Sequence, residues 1–160
     1  MLDGPTVVLA IEAAHFTHVV WVPDSHLGTW DAALHASPKV RLVRPAREGE
    51  AVGLAAGLML GGARPLVAVQ CTGFFEAGDA VRNVAHDLKL PLKLLVGVRS
   101  WRAHLAGKTA DNCPTFAEPV VRAWGLPVAW FDPFAAAADC GPAFAQLAAG
   151  DGPAALLWAE

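Results

Sequence analysis

The stretch from residue 45 to residue 62 constrains the fold of this chain more than any other. It reads Pro-Ala-Arg-Glu-Gly-Glu-Ala-Val-Gly-Leu-Ala-Ala-Gly-Leu-Met-Leu-Gly-Gly, and residues 51–60 carry no polar side chain. A helix that is apolar on every side is typical of a buried helix, so we expect this one to lie in the core. Gly53 and Gly57 are four residues apart and share one face. We expect another backbone to approach closely there.

Two carboxylates, Glu48 and Glu50, fall in the first turn of this predicted helix. The helix dipole favours a carboxylate at that position, and most such residues are solvated and do no more than complement the dipole. Glu48 is the more interesting of the two, because it lies where a polar strand end meets a helix that enters the core.

Short, continuously apolar segments alternate with helical segments along the rest of the chain. We predict strands at 18–22, 40–43, 65–70, 91–98, 127–131 and 154–158, and further helices at 5–16, 27–35, 76–88, 115–125 and 133–149. Strands that are apolar on both faces indicate a parallel sheet covered by helices on both sides. The predicted fold is therefore α/β, a three-layer αβα sandwich with a six-stranded parallel sheet, and residues 1–160 are expected to form a single domain.

Composition excludes several classes of function. The net charge is −3 and basic residues form no run, which argues against nucleic-acid binding. Apolar runs are too short for a membrane span, and the amino terminus lacks the pattern of a signal peptide. Three widely spaced cysteines indicate a reduced, cytoplasmic protein without a zinc site. Because apolar residues make up 54% and charged residues 17%, a partner that covers apolar surface is plausible.

Ligands of open parallel sheets bind at the carboxyl ends of the strands, so the turns at that edge supply the candidate site residues. Those turns contain Pro23, Asp24, Ser25 and His26 after the first strand, Glu48 before the apolar helix, Gln70, Cys71, Thr72 and Gly73 after the third strand, and Arg99, Arg102 and His104 after the fourth. Each turn alone is more often a cap than a binding site. Gly73 is expected to provide the backbone freedom of a tight turn, and residues 99–114 are expected to form a long loop.

Four of these segments, in this order, resemble the pyrimidine-binding domain of thiamine-diphosphate-dependent decarboxylases, most of all the sulfopyruvate and phosphonopyruvate decarboxylases. The segments are Val22-Pro-Asp-Ser25, Arg47-Glu-Gly-Glu-Ala-Val-Gly-Leu-Ala-Ala-Gly57, Gln70-Cys-Thr-Gly73 and Val96-Gly-Val-Arg-Ser100. The sequence also departs from the family pattern. Cys71 stands in place of an asparagine and Ser100 in place of a glycine, the segment 74–78 is longer than in the family, and the loop after Arg102 does not align with the family's substrate loop.

The resemblance implies a role for each matching residue. Glu48, nine residues before Gly57, corresponds to the glutamate that hydrogen-bonds N1′ of the cofactor aminopyrimidine and so promotes loss of the thiazolium C2 proton. The implied reaction is decarboxylation of a small 2-oxo acid to an aldehyde. The implied cofactor-binding residues are Glu48, Pro23, Thr72 and Gly73, and the implied substrate-binding residues are Asp24, Ser25, His26, Gln70, Arg99 and His104.

The family holds Mg²⁺ and the cofactor diphosphate with Gly-Asp-Gly and an asparagine some 25 to 30 residues later. Here Gly150-Asp-Gly152 is followed by only eight residues, so we interpret it as a surface turn before the last strand. The chain is therefore expected to be the α subunit of a hetero-oligomer, whose complementary β subunit holds the diphosphate and the Mg²⁺.

Other readings remain open at this point. A non-catalytic or regulatory subunit would keep the fold and lose turnover, and a carboligase of the same superfamily would share the early chemistry. An unrelated flavodoxin-like nucleotide-binding module is disfavoured, because no Gly-x-Gly-x-x-Gly follows the first strand and no Walker lysine occurs.

Overall fold

A computed structural model describes residues 2–135 and 138–160, and within them the six strands form one parallel sheet in the order β2-β1-β3-β4-β6-β5. The strands are β1 (His18–Trp21), β2 (Arg41–Val43), β3 (Pro65–Gln70), β4 (Lys93–Val98), β5 (Val128–Phe131) and β6 (Ala154–Ala159). The helices are α1 (Gly4–Ala13), α2 (Asp31–Ala36), α3 (Glu48–Leu60), α4 (Cys71–Glu76), α5 (Gly78–Arg82), α6 (Trp101–Leu105), α7 (Cys113–Ala123) and α8 (Gly141–Ala148). A 3₁₀ turn at Leu27–Trp30 precedes α2, and a π turn at Asn83–Asp87 follows α5. The predicted α/β class and six-stranded parallel sheet are confirmed.

Helices cover both faces of the sheet, which explains why the strands are apolar throughout. Helices α3, α4, α5 and α7 pack on one face, and α1, α2 and α8 pack on the other. Successive strand residues point to opposite faces. In β4, for example, Leu94 and Val96 belong to the first core and Leu95 to the second.

The helical segments differ most from the prediction at three places. Strand β3 passes directly into α4, which begins at Cys71 rather than at residue 76. The predicted loop 99–114 contains the short helix α6. The predicted helix 133–149 is helical only from Gly141, where Pro142 in the first turn favours a helix start; Ala136 and Ala137 of that prediction lie outside the described residues.

Helix α3 is buried on one face only, so the prediction that it lies wholly in the core is wrong. Ala51 and Ala55 are fully buried against the sheet. The opposite face is exposed and consists of Gly53, Leu54, Gly57 and Leu60. A Cβ on either glycine would meet no atom within 4 Å in the described chain, so the expected backbone neighbour is not part of it. None of the described helices, α3 included, is both long and apolar enough to cross a membrane.

Candidate active site

The site is built from the carboxyl ends of four neighbouring strands. β1, β3, β4 and β6 follow one another in the sheet, so the segments after them meet at one edge. The amino terminus of α3, which follows the edge strand β2, reaches the same edge by packing against β1, β3 and α4.

Glu48, the first residue of α3, lies directly across Gly73 of α4. A Cβ on Gly73 would overlap the Glu48 side chain, whose atoms are its three nearest neighbours. The φ of Gly73 is not positive, so the expected turn role of this glycine is wrong. Glycine is needed there because the Glu48 carboxylate passes so close to the α4 backbone.

The carboxylates of Glu48 and Glu50 have different partners. Glu50 Oε2 accepts a hydrogen bond from the Ala46 backbone amide at 2.9 Å, which holds the chain as it enters α3. Glu48 is half-buried, and no donor from residues 2–135 or 138–160 reaches its carboxylate. An unpaired, half-buried carboxylate at the ligand-binding edge is suited to accept a hydrogen bond from a ligand. The geometry therefore favours Glu48 over Glu50 as the functional carboxylate.

A chain of hydrogen bonds runs along the edge beside Gly73. Thr72 Oγ1 donates to Gln70 Oε1 at 2.9 Å, and Gln70 Nε2 donates to Asp24 Oδ2 at 2.9 Å. Asp24 Oδ1 accepts from the backbone amides of His26 and Leu27, both at 2.8 Å. The carboxylate of Asp24 thus caps its own turn and ties the end of β1 to the end of β3. Its predicted contact with substrate stays a prediction.

The other residues of the turn after β1 lie at the surface of the same edge. Pro23 and Ser25 are exposed and His26 is half-buried. Because Asp24 holds the turn through two backbone amides, the side chains of Ser25 and His26 are presented from a fixed backbone. Their roles toward cofactor and substrate stay predictions.

The sequence interpretation missed a second glutamate at this edge. Glu160 follows β6 and is 6% exposed, and a Cβ on Gly97 of β4 would overlap its carboxyl just as one on Gly73 would overlap Glu48. The same Cβ position is 3.4 Å from Asp24 Oδ2. Burial, and after it the Asp24 carboxylate, raise the pKa of Glu160 to about 8. The available signal was an acidic residue directly after an apolar strand.

The guanidinium group of Arg99, which is predicted to hold a substrate anion, is bound to Asp111. Arg99 Nε lies 2.9 Å from Asp111 Oδ2, and Asp111 Oδ1 accepts from the Cys113 backbone amide at 3.0 Å. The bond from the Cys113 amide, with help from Ser100 and Arg99, holds the pKa of Asp111 below its usual value. Arg99 thereby connects the end of β4 to the start of α7. Ser100 has a φ of 61°, a left-handed conformation that glycine adopts more easily than serine.

We expect Arg99→Ala to act through the protein scaffold. Loss of the Arg99 guanidinium frees Asp111, so amide exchange at residues 111–115 should rise. In the assembled decarboxylase that the resemblance implies, KM should rise by the same factor for pyruvate and for a 2-oxo acid with a second anionic group. Asp111→Asn is the matched control and should reproduce both effects. A rise in KM confined to the doubly anionic substrate, seen for Arg99→Ala but not for Asp111→Asn, would instead establish the substrate contact predicted from the sequence.

His104 is not brought together with Glu48. It lies on α6 and stacks on Trp101 at 6.0 Å between ring centroids, and Trp101 stacks on Trp130 of β5 at 4.1 Å. Strand β5 is the edge strand on the far side of the sheet, and β6 and β4 lie between it and β3. His104 thus lies on the side of the site edge that is nearer to β5, and the substrate role predicted for it stays a prediction.

Cys71, at a position where the resemblance implies an asparagine, faces the core. It is the first residue of α4 and is fully buried, with Cys113 as a neighbour. Burial, followed by the contact with Cys113, raises the pKa of Cys71 to about 12. The thiol is therefore neutral at physiological pH and is not a candidate nucleophile.

The Gly150-Asp-Gly152 segment lies at the opposite edge of the sheet from Glu48. It precedes β6, and its turn wraps around Lys93, the first residue of β4. The buried Lys93 Nζ donates to three backbone carbonyls of this turn, the shortest bond being 2.8 Å to Gly152 O. The interpretation as a turn before the last strand is confirmed. The described residues also hold no group of three His, Cys, Asp or Glu side chains arranged to bind a metal.

No protein-family profile and no curated protein matches the sequence, but solved structures share its fold. A thiamin diphosphate-dependent enzyme from Mycobacterium smegmatis is 19% identical with a TM-score of 0.73. The 4-hydroxybenzoylformate decarboxylase of Rhodococcus jostii RHA1 is 19% identical with a TM-score of 0.66, and the benzoylformate decarboxylase of Polynucleobacter necessarius is 20% identical with a TM-score of 0.74. Each match covers at least 98% of this chain.

This chain has the fold of a domain found in thiamine-diphosphate-dependent enzymes. It spans 30% of the length of each of the three solved proteins. At 19–20% identity the likeness concerns the fold alone, so activity, substrate and partners are matters for the proposal that follows.

Proposed function

We propose that this chain is the pyrimidine-binding α subunit of a two-subunit, thiamine-diphosphate-dependent 2-oxo acid decarboxylase of the sulfopyruvate and phosphonopyruvate type. One observation carries the proposal: the unpaired Glu48 carboxylate lies across Gly73 at the ligand-binding edge, in a fold shared with such enzymes. The motif around Glu48 independently resembles the family's cofactor-binding segment.

The residues present fit the aminopyrimidine of the cofactor. Thiamine diphosphate, when bound, supplies an electron sink for cleavage next to a carbonyl group. Glu48 would accept a hydrogen bond from N1′ and share its proton, since its carboxylate has no competing donor in the described chain. The overlap that a Cβ on Gly73 would cause shows that the space for Glu48 is built into α4. Thr72 and Pro23 are assigned to the same cofactor surface.

A complementary β subunit completes the site in this proposal and holds the Mg²⁺ and the diphosphate. Support comes from the Gly150-Asp-Gly152 turn. It lies at the amino-terminal ends of the strands, on the opposite side of the sheet from the Glu48 site, and its carbonyls surround the Lys93 ammonium. Support also comes from α3, whose uncovered apolar face extends from the turn that carries Glu48. A subunit on this face would shield Glu48 from water. A stable contact needs upwards of about 1,000 Å² of buried surface. The cytoplasmic location belongs to the same proposal.

The test is calorimetry with thiamine diphosphate and Mg²⁺ on the chain alone and on its mixture with a β subunit that carries Gly-Asp-Gly and a downstream asparagine. The chain alone should bind weakly and release no CO₂, because Glu48 is open to water and the diphosphate has no metal site. The mixture should bind and turn over. Micromolar binding or decarboxylation by the chain alone would refute the half-site proposal, and binding by the mixture without CO₂ release would favour the non-catalytic or carboligase alternative.

Two matched variants locate the partner surface. Leu60 on α3 is 73% exposed, and Leu9 on α1, across the sheet, is 65% exposed. A charge at Leu60→Asp would be buried by the partner, which is costly without an opposite charge, so association should be lost. Leu9→Asp should leave association unchanged. If both variants bind the β subunit as tightly as the unsubstituted chain, the partner does not cover α3.

A further inference from the structure

The buried Glu160 carboxyl lies where its charged form is unfavourable. Its side chain is buried at the carboxyl end of β6 and crosses Gly97 toward Asp24. With Glu160 and Asp24 both ionised, neither carboxyl oxygen of Glu160 has a hydrogen-bond partner among the described residues. A buried charge without a partner is strongly disfavoured, and a second carboxylate next to it makes ionisation less favourable still.

The surroundings decide which of the two acids carries the proton. Asp24 accepts three hydrogen bonds, from the amides of His26 and Leu27 and from the side chain of Gln70. Both oxygens of Asp24 therefore already accept from N–H groups. Glu160 has no comparable donor among the described residues, so the proton belongs to Glu160, whose pKa burial and Asp24 raise to about 8.

We propose that Glu160 is a positioning residue of the site, which in its neutral form donates a hydrogen bond to Asp24 and so holds the Asp24–Gln70–Thr72 chain beside Glu48. The shared proton follows from the geometry of this chain alone, whereas its importance for turnover rests on the proposed function. Neutral Glu160 removes the repulsion between two carboxyl groups and gives Asp24 a fourth donor. The turn after β1 and the start of α4 are thereby linked through one continuous hydrogen-bonded chain.

The other charged side chains nearby have partners of their own. Arg99, which follows β4, is paired with Asp111. Arg102 on α6 lays its guanidinium over the Phe134 ring at 4.4 Å, and its backbone amide donates to the Glu160 carbonyl at 3.1 Å. From the turn after β1, Asp24 is the titratable group that faces Glu160. Its negative charge favours the neutral acid.

The pair links stability to pH in a defined direction. The folded pKa of Glu160, about 8, lies above its unfolded value of 4.5, so between these values the folded chain holds a proton that the unfolded chain has lost. Stability is therefore highest below the unfolded pKa and falls as pH rises toward 8. The unfolding equilibrium constant should rise by up to about tenfold per pH unit in that window from this group alone.

The experiment has two arms that need no enzyme activity. In the 160-residue chain labelled with ¹³C at glutamate side chains, the Glu160 carboxyl should titrate about three or more units above an ordinary glutamate, and Asp24→Asn should lower that midpoint. In denaturant unfolding from pH 5.5 to 8, Glu160→Gln should remove up to about tenfold per pH unit from the pH dependence of the unfolding equilibrium constant, because an amide does not titrate. The amide can still donate to Asp24. An ordinary Glu160 midpoint, or equal pH dependence in the two chains, overturns the proposal.

A third arm tests the role in turnover on the assembled enzyme. As Glu160 ionises, kcat of the unsubstituted enzyme should fall above about pH 8, and Glu160→Gln should remove that fall, because its amide does not titrate. A purely structural side chain would not move the pH profile, so an identical high-pH fall in Glu160→Gln refutes the positioning role. If no CO₂ is released by any variant, the proposed function has failed, and the titration and unfolding arms still decide whether the proton is shared.

Discussion

Glu48→Gln is expected to lower turnover of the assembled enzyme by at least about a hundredfold, the scale of a lost acid–base function. The amide is nearly the same size as the carboxylate, so the side chain can still cross Gly73, but it cannot share a proton with N1′ of the cofactor. The effect should therefore appear in kcat with little loss of stability. Release of CO₂ or aldehyde gives the rate, and C2–H/D exchange of the bound cofactor identifies the step.

Glu50→Gln is the matched control two residues further along the same helix. Glu50 Oε2 accepts from the Ala46 amide, and a glutamine oxygen can accept the same bond. Its effect should be small compared with that of Glu48→Gln. Equal losses, or a larger loss from Glu50→Gln, would show that the glutamate has been assigned to the wrong position.

Gly73→Ala should abolish most activity without touching any group that reacts. The added Cβ would overlap the Glu48 side chain, which must turn away from its place across α4. A displacement of about 1 Å at such a group can cost about a hundredfold in rate, so we expect a loss of about tenfold to a hundredfold. The φ of Gly73 is not positive, and alanine favours a helix over glycine by about 1 kcal/mol, so the fold should be retained.

Gly49→Ala separates this steric effect from a general effect of removing a helical glycine. Gly49 follows Glu48 in α3, and the nearest atom to an added Cβ is Glu76 Oε2 at 3.8 Å, an ordinary contact. The Gly49→Ala variant should gain the same helix propensity as Gly73→Ala and should keep the turnover of the unsubstituted enzyme. Denaturant unfolding and CO₂ release on both variants make the comparison. Full activity in Gly73→Ala, or a large loss of stability confined to it, would contradict the explanation offered for that glycine.

The strands could be predicted because their signal is local. All six predicted segments are strands, with boundaries that differ by at most two residues, since a strand buried on both faces must be apolar at every position. The starts of the helices were harder to predict. Predicting that α4 begins at Cys71 requires knowing that Gly73 serves the approach of Glu48, which is a contact between distant parts of the chain.

The uncovered face of α3 shows what an apolar sequence cannot predict. The sequence of residues 51–60 predicts burial on all sides, because apolarity tells how much surface avoids water and not what covers it. In the folded chain one side packs on the sheet, and a Cβ added to Gly53 or Gly57 would meet no other part of the described chain within 4 Å. The prediction that this chain itself buries the whole helix is therefore wrong, and the expectation that a partner covers the exposed face stays a prediction.

The sequence alone determined the parallel sheet and its alternation with helices, and it placed Glu48 in the first turn of α3. Tertiary structure alone decided which glycine each glutamate crosses, Gly73 for Glu48 and Gly97 for Glu160. The physical reason is strand order. Glu160 meets Gly97 and Asp24 only because β6 pairs with β4 between β5 and the rest of the sheet, and no local pattern of residues encodes that order.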